Sequence, residues 1–248
     1  MTAPEDDFLG ELRLLGIPAR LCARLKAFLK ARHPGNQERI YHGLAHTWEV
    51  SGLTARMLRS WPGVPADRKV LLILAAAMHD LDPQRPPGTP ARVRATLAYL
   101  HEDPAAAGLV AEFCDRCHFT PGQVSALIMA TDYGDQPRER AAKLLAFRRA
   151  HRYAFGSDPW IEEWGLRLAY WDKIATYLHN TPEESRRRVA GLAREFRQVK
   201  AWRARPQTGL AGMSQRFLTK LRRDRLFAYL SARDRARFER LLRRFKHA

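Results

Sequence analysis

Val70-Leu-Leu-Ile-Leu-Ala-Ala-Ala-Met78, followed by His79-Asp80, is the stretch whose reading decides the fold. An unbroken apolar run rich in leucine and alanine predicts one strongly buried helix. That helix ends in an imidazole beside a carboxylate. Buried groups of this polarity are costly unless something satisfies them. Together they suit a divalent ion of the zinc, manganese or iron type. Two adjacent residues cannot complete a coordination sphere, so the remaining ligands have to come from elsewhere in the chain.

Two other segments offer them. Tyr41-His-Gly-Leu-Ala-His46 places His42 and His46 four residues apart, on one face if a helix has already begun. Leu168-Ala-Tyr-Trp-Asp-Lys-Ile-Ala175 sets Asp172 among Tyr170, Trp171 and Ile174, where a carboxylate needs a buried partner. Each signal is weak alone, because a buried histidine is more often a hydrogen-bonded core residue than a ligand. The order His, His-Asp, Asp, all on predicted helices, is much harder to obtain by chance.

Around these segments the pattern is helical almost throughout. Leu21, Leu25, Phe28 and Leu29 form one stripe of a helix over residues 19–31, preceded by a helix over 6–15. A helix over 44–61 turns Leu44, Trp48, Leu53 and Met57 inward and stops at Pro62-Gly63. Thr89-Pro90, Thr120-Pro121, Asp158-Pro159 and Thr181-Pro182 each put a capping residue before a proline at the first helical position. Gln123 and Glu184 complete capping-box spacings with Thr120 and Thr181. A helix from Thr181 to Trp202 turns Val189, Leu192, Phe196 and Val199 to one side. Two basic helices follow over 214–230 and 232–246, the second capped by Ser231. Their residues Phe217, Leu218, Leu221, Leu226, Phe238, Leu241, Leu242 and Phe245 are placed to dock on the body or on a partner. No alternating apolar run suggests a strand, so the expected fold class is all-α.

Composition narrows the function classes. The chain has 248 residues, 46% of them hydrophobic and 28% charged, as in globular proteins that bury a large core. No apolar stretch reaches the roughly 18 residues of a membrane span. The acidic start Met1-Thr-Ala-Pro-Glu-Asp-Asp7 lacks a secretory pattern, so a cytoplasmic location is expected. Three cysteines, Cys22, Cys114 and Cys117, do not make a disulfide framework. Cys114 and Cys117, with His118, have no second cysteine pair and read as buried thiols on one helical face. The formal charge of +17 is uneven: residues 182–248 hold 20 Lys and Arg against 6 Asp and Glu, a net of +14. The expected organisation is therefore a domain over 1–181, its first helices (1–34) packed on it, and a basic helical extension over 182–248. That asymmetry points to an anionic partner for the extension.

The ligand pattern resembles the HD-domain metal-dependent phosphohydrolases, whose ligands are one histidine, an adjacent His-Asp pair and a distant aspartate. His46, His79, Asp80 and Asp172 match these positions one by one. Tyr41-His-Gly-Leu-Ala-His-Thr-Trp-Glu-Val50 is similar to the YHNxxHAxDV signature of cyclic nucleotide phosphodiesterases within that superfamily. His79-Asp-Leu-Asp82 with Pro87-Gly-Thr89 resembles their HDxDHPGxxN, and Ala130-Thr-Asp132 their ATD. The resemblance spans residues 40–180. Gly43, Glu49 and Pro83 stand where those signatures have asparagine, aspartate and histidine, and the glutamine that selects the nucleotide has no counterpart. It therefore implies an HD-domain-like helical bundle and phosphoester hydrolysis rather than a cyclic nucleotide as substrate.

On that resemblance the cofactor is one or two divalent ions (Zn, Mn, Fe or Mg) held by His46, His79, Asp80 and Asp172. Such an ion lowers the pKa of water toward neutrality, and Asp80 is the natural bridge to a second ion. His42 falls on the general acid that protonates the leaving oxygen, a role worth about 10²–10⁴-fold. Asp82 and Asp132 are candidates for orienting ligands or water. The substrate expected is a nucleotide or related phosphoester. The competing reading is a helical protein that binds nucleic acid or another polyanion through its basic extension and keeps a vestigial or structural metal site. A basic amphipathic membrane-surface anchor ranks below both.

Overall fold

The apolar run is the inner part of a helix that starts four residues earlier, at Ala66, and stops at Met78. Every residue from Val70 to Met78 is buried, and each fully buried Leu or Ile there contributes about 1.5–3 kcal/mol. A computed structural model describes residues 4–33, 42–83, 93–131, 159–195 and 210–246. The fold is all-α, with no strand among the described residues.

In chain order the helices are α1 (Pro4–Leu14), α2 (Ala19–Arg32), α3 (Leu44–Arg59), α4 (Ala66–Met78), α5 (Val93–Glu102), α6 (Pro104–Cys117) and α7 (Pro121–Thr131). They are followed by α8 (Pro159–His179), α9 (Pro182–Glu195), α10 (Leu210–Arg223), a 3₁₀ turn (Arg225–Tyr229) and α11 (Ala232–Lys246). α8 is the axis of the arrangement: α3, α4 and α7 pack against it, and α1 covers α3 on the other side. Both faces of α8 are buried, from Ile161 to Leu178, which explains why its apolar residues show no clean stripe.

Local chemistry sets the boundaries. Gly16 (φ 87°) closes α1 in a left-handed conformation that favours glycine. Its N–H donates to the Arg13 carbonyl, and the Ile17 N–H donates to Leu12, satisfying two end carbonyls while Ile17 and Leu12 bury together. Thr120 and Gln123 form the expected reciprocal box at α7: the Gln123 N–H donates to Thr120 Oγ1 and the Thr120 N–H to Gln123 Oε1. Thr181 Oγ1 accepts from the Glu184 N–H at α9, and Ser231 Oγ from the Asp234 N–H at α11. A further proline cap, Asp103-Pro104, is not among those read from the sequence; Asp103 Oδ1 accepts from the Ala106 N–H and separates α5 from α6. Thr89-Pro90, Asp158, and the part of the 181–202 helix beyond Glu195 lie outside the described residues.

Several boundaries differ from expectation: α3 ends at Arg59 rather than at 61, and the first basic helix starts at Leu210 rather than at 214. The helix read as continuous over 214–230 ends at Arg223, because the Asp224 side chain accepts from the Leu226 N–H and starts a 3₁₀ turn. The break turns the chain so that α11 lies against α8 and α10. Leu218, Leu221, Leu226, Leu230, Phe238, Leu241, Leu242 and Phe245 join the same hydrophobic core as α3, α4 and α8. Tyr170 on α8 donates its hydroxyl to the Leu221 carbonyl. The Arg167 guanidinium lies 4.4 Å from the Trp61 ring centre and 4.5 Å from that of Trp164, with Tyr229 at its edge, a desolvated cation–π stack worth up to about 2 kcal/mol. Of the two docking options, the apolar residues of the basic helices take the body.

Cys22, Cys114 and Cys117 are buried and unbridged. Burial, with Asp115 close by, pushes the Cys114 thiol up to about 12. These are packing residues, as the spacing suggested.

Candidate metal centre

Three elements deliver the site. α3 carries His46 in its first turn, the end of α4 carries His79 and Asp80, and the middle of α8 carries Asp172. His79 is the last helical residue in conformation (φ −62°, ψ −30°), so its ring continues the buried line of α4 into the junction with α3 and α8. His46, His79 and Asp172 each offer one ligand atom, and all three atoms lie within 4.8 Å of one another. Asp172 Oδ1 is 2.8 Å from His46 Nε2 and 3.3 Å from His79 Nε2. Asp80 Oδ2 completes the ring at 3.3 Å from His79 Nε2 and 3.7 Å from His46 Nε2. The four residues separated by 126 positions in sequence thus meet at one point.

The histidine orientations follow from what holds their other nitrogens. His79 Nδ1 lies 2.8 Å from the Ala76 carbonyl, which can only accept, so the Nδ1–H donates there. His46 Nδ1 lies 3.3 Å from Thr176 Oγ1, and the Thr176 hydroxyl donates in turn to Glu49 Oε2 at 2.9 Å. With Nδ1–H committed in both rings, Nε2 is the atom turned toward the carboxylates: His46 Nε2 donates to Asp172 Oδ1 at 2.8 Å when the ring is protonated and presents a lone pair when it is neutral. His79 Nε2 and Asp80 Oδ2 are buried without a hydrogen-bond partner among the described residues. Lone pairs of two imidazoles facing two carboxylates in a buried space are unstable unless a cation or protons stand between them.

The electrostatics express the same demand. Burial opposes charging His46, yet hydrogen bonding to Asp172 and Glu49 outweighs it and pushes its pKa up to about 9. His79 is also raised: burial resists, and the neighbouring Asp80 and Asp172 prevail. Burial disfavours ionising Asp80 and Asp172, but the adjacent imidazoles hold both well below the usual carboxylate range, with His42 also acting on Asp80. The pocket thus holds two anionic carboxylates and compensates them with positive charge. A divalent ion bound there would supply that charge in one centre, and the imidazole–carboxylate donor set is of a kind that could hold one.

His42 lies just before α3, whose N-cap is Gly43, so the helix has not begun at His42. The four-residue spacing does not act through a shared helical face. The loop still brings the two rings edge to face with centres 5.8 Å apart. Asp82 is buried beyond the His79-Asp80 turn. Tyr41, Asp132 and the Pro87-Gly-Thr89 segment lie outside the described residues.

What the sequence reading did not supply is the support behind His46. Glu49, one turn further along α3, is 5% exposed and accepts at both oxygens. Oε2 takes Thr176; Oε1 takes Asn180 Nδ2 at 2.7 Å and Arg188 at 2.9 Å. Burial would raise the Glu49 carboxyl, but His46 and Arg188 hold it low. Arg188 belongs to α9, within the basic extension, so the extension reaches directly behind a candidate ligand. The one signal available was Glu49 itself, a longer acid in place of the signature's aspartate. No protein-family model, curated protein or solved structure matches the chain.

Proposed function

We propose that the chain is a metal-dependent phosphohydrolase of the HD type, acting on a nucleotide or related phosphoester. The observation that carries this reading is the inward-facing pair of His79 Nε2 and Asp80 Oδ2, buried without hydrogen bonds beside His46 and Asp172. His46, His79, Asp80 and Asp172 would hold the ion. Bound there, it would lower the pKa of water toward neutrality and polarise a phosphoryl oxygen.

The protein's own groups do the rest. Ala76 and Thr176 fix the ring planes of His79 and His46, so the donor atoms are oriented before the ion arrives. Glu49 secures Thr176. His42, whose ring meets that of His46 edge to face, would donate the proton to the leaving oxygen.

Metal content of the purified protein, measured by mass spectrometry, and a panel of phosphomonoesters and phosphodiesters test the proposal. Asp80→Ala is expected to lose both metal and hydrolysis. His42→Gln is expected to keep the metal and lose about 10²–10⁴-fold in kcat. Full hydrolytic activity in Asp80→Ala would refute the reading.

A further inference from the structure

On the side of the molecule reached by the C-terminal end of α3, a cavity of about 740 Å³ opens between α3, the Asn180–Pro182 turn and α11. Six guanidinium groups line it: Arg56 and Arg59 from α3, and Arg233, Arg237, Arg240 and Arg244 from α11. The α11 arginines recur at intervals of four, three and four, which puts them on one face of that helix. A row of arginines on one helix is commonly just a solvated face. Here a second element adds two more to the same lining, and among the described residues only two carboxylates, Asp7 and Asp234, share it. Asp234 is engaged by Arg56 at 3.2 Å, and Arg59 is held by Glu11 at 2.6 Å and by the Asp7 carbonyl. Arg237 donates to the Asn180 carbonyl at 3.4 Å. Six arginines against two carboxylates still leave the described lining with an excess of positive charge. Arg237 shows the strain of that crowding: burial, then the charges of Arg56, Arg233 and Arg240, push its pKa down against the pull of Asp234.

We propose that this cavity is a binding site for a compact ligand carrying two or more linked phosphoryl groups, separate from the metal centre. The volume falls in the range of about 300–1,000 Å³ typical of small-ligand sites. Planar guanidinium forks match phosphoryl oxygens two at a time, and several of them suit a chain of phosphates better than a single anion. Among the described residues no aromatic side chain lines the cavity. Phe238 and Phe245, the aromatics of α11, are spent in the core. A base would have nothing to stack on, so recognition rests on the phosphates, and extended single-stranded nucleic acid fits poorly.

The probe is inorganic triphosphate, titrated calorimetrically into the full chain at fixed ionic strength, with orthophosphate alongside. Saturable binding is expected, tighter for triphosphate than for orthophosphate. Arg240→Gln/Arg244→Gln removes two exposed cavity arginines without touching the core and should weaken binding about tenfold or more. Arg223→Gln/Arg243→Gln removes the same charge from exposed positions outside the cavity and should leave binding within about twofold. Asp80→Ala should bind triphosphate as the parent does; loss of binding there would assign it to the metal centre and overturn the proposal. Equal weakening in the two double variants, no saturable binding, or binding of a DNA duplex but not of triphosphate would also overturn it.

Discussion

Arg188→Met tests whether the extension is a structural part of the candidate metal centre. Arg188 and Glu49 side chains are 4% and 6% exposed and their closest N–O distance is 2.9 Å. Removing one partner of such a pair leaves an uncompensated buried charge, typically about 3–5 kcal/mol. Glu49 would keep its bonds from Asn180 and Thr176, which places the expected loss at the lower end, about 3 kcal/mol. For a chain of this size that corresponds to a fall in Tm of about 6–12 °C. The pH dependence identifies the cause. In the parent, Glu49 has a depressed pKa, so its contribution is present above the ordinary glutamate range and fades as the pH falls through the folded-state value. Without Arg188 the folded-state pKa rises, protonation relieves the buried charge, and the variant's deficit should shrink from pH 7 to pH 4. Urea unfolding at both pH values, with Glu49→Gln and the double variant, forms the cycle. A deficit below about 1 kcal/mol at pH 7, or additive single effects, would refute the reasoning.

Thr176→Val removes the hydroxyl that positions His46 while keeping the shape, and should weaken metal binding about 10–100-fold in a competition titration with a chromogenic chelator. Gly165→Ala would set a Cβ 2.6 Å from Ala130 Cβ, where α7 and α8 meet; a loss of about 1–3 kcal/mol by chemical denaturation is expected, recovered in part by adding Ala130→Gly. His179 is held neutral, its pKa pushed down to about 4 by burial and by Arg56. Between that value and the unfolded one near 6.5, the unfolded chain binds more protons, so stability should fall by about 2–3 kcal/mol as pH drops through that window. His179→Gln should flatten this part of the stability–pH curve.

The all-α class and the positions of the metal-centre candidates were legible because their signals are local. A buried helix that ends in His-Asp, and an aspartate inside an apolar helix, each announce an unmet polar demand within a few residues. Proline caps were legible for the same reason. The network behind His46 was not, because Glu49 chooses Thr176, Asn180 and Arg188 from 127 to 139 positions away. Among 43 basic residues, nothing in spacing marks Arg188 as the one that is buried. The charge count presented 182–248 as an appendage; it could not register that the alternate face of the same helices is apolar enough to enter the core. The break at Asp224 was hidden because a continuous helix and a helix followed by a 3₁₀ turn place the same leucines at similar intervals.

The three sequestered thiols give the folded chain a clock that is easy to read. Each is silent toward alkylating reagents while its helix stays packed and becomes an ordinary, reactive cysteine once it opens. Cys22 lies on α2, while Cys114 and Cys117 lie on α6. Timed alkylation of the unaltered protein would therefore report separately how often two peripheral helices leave the body, without any introduced label.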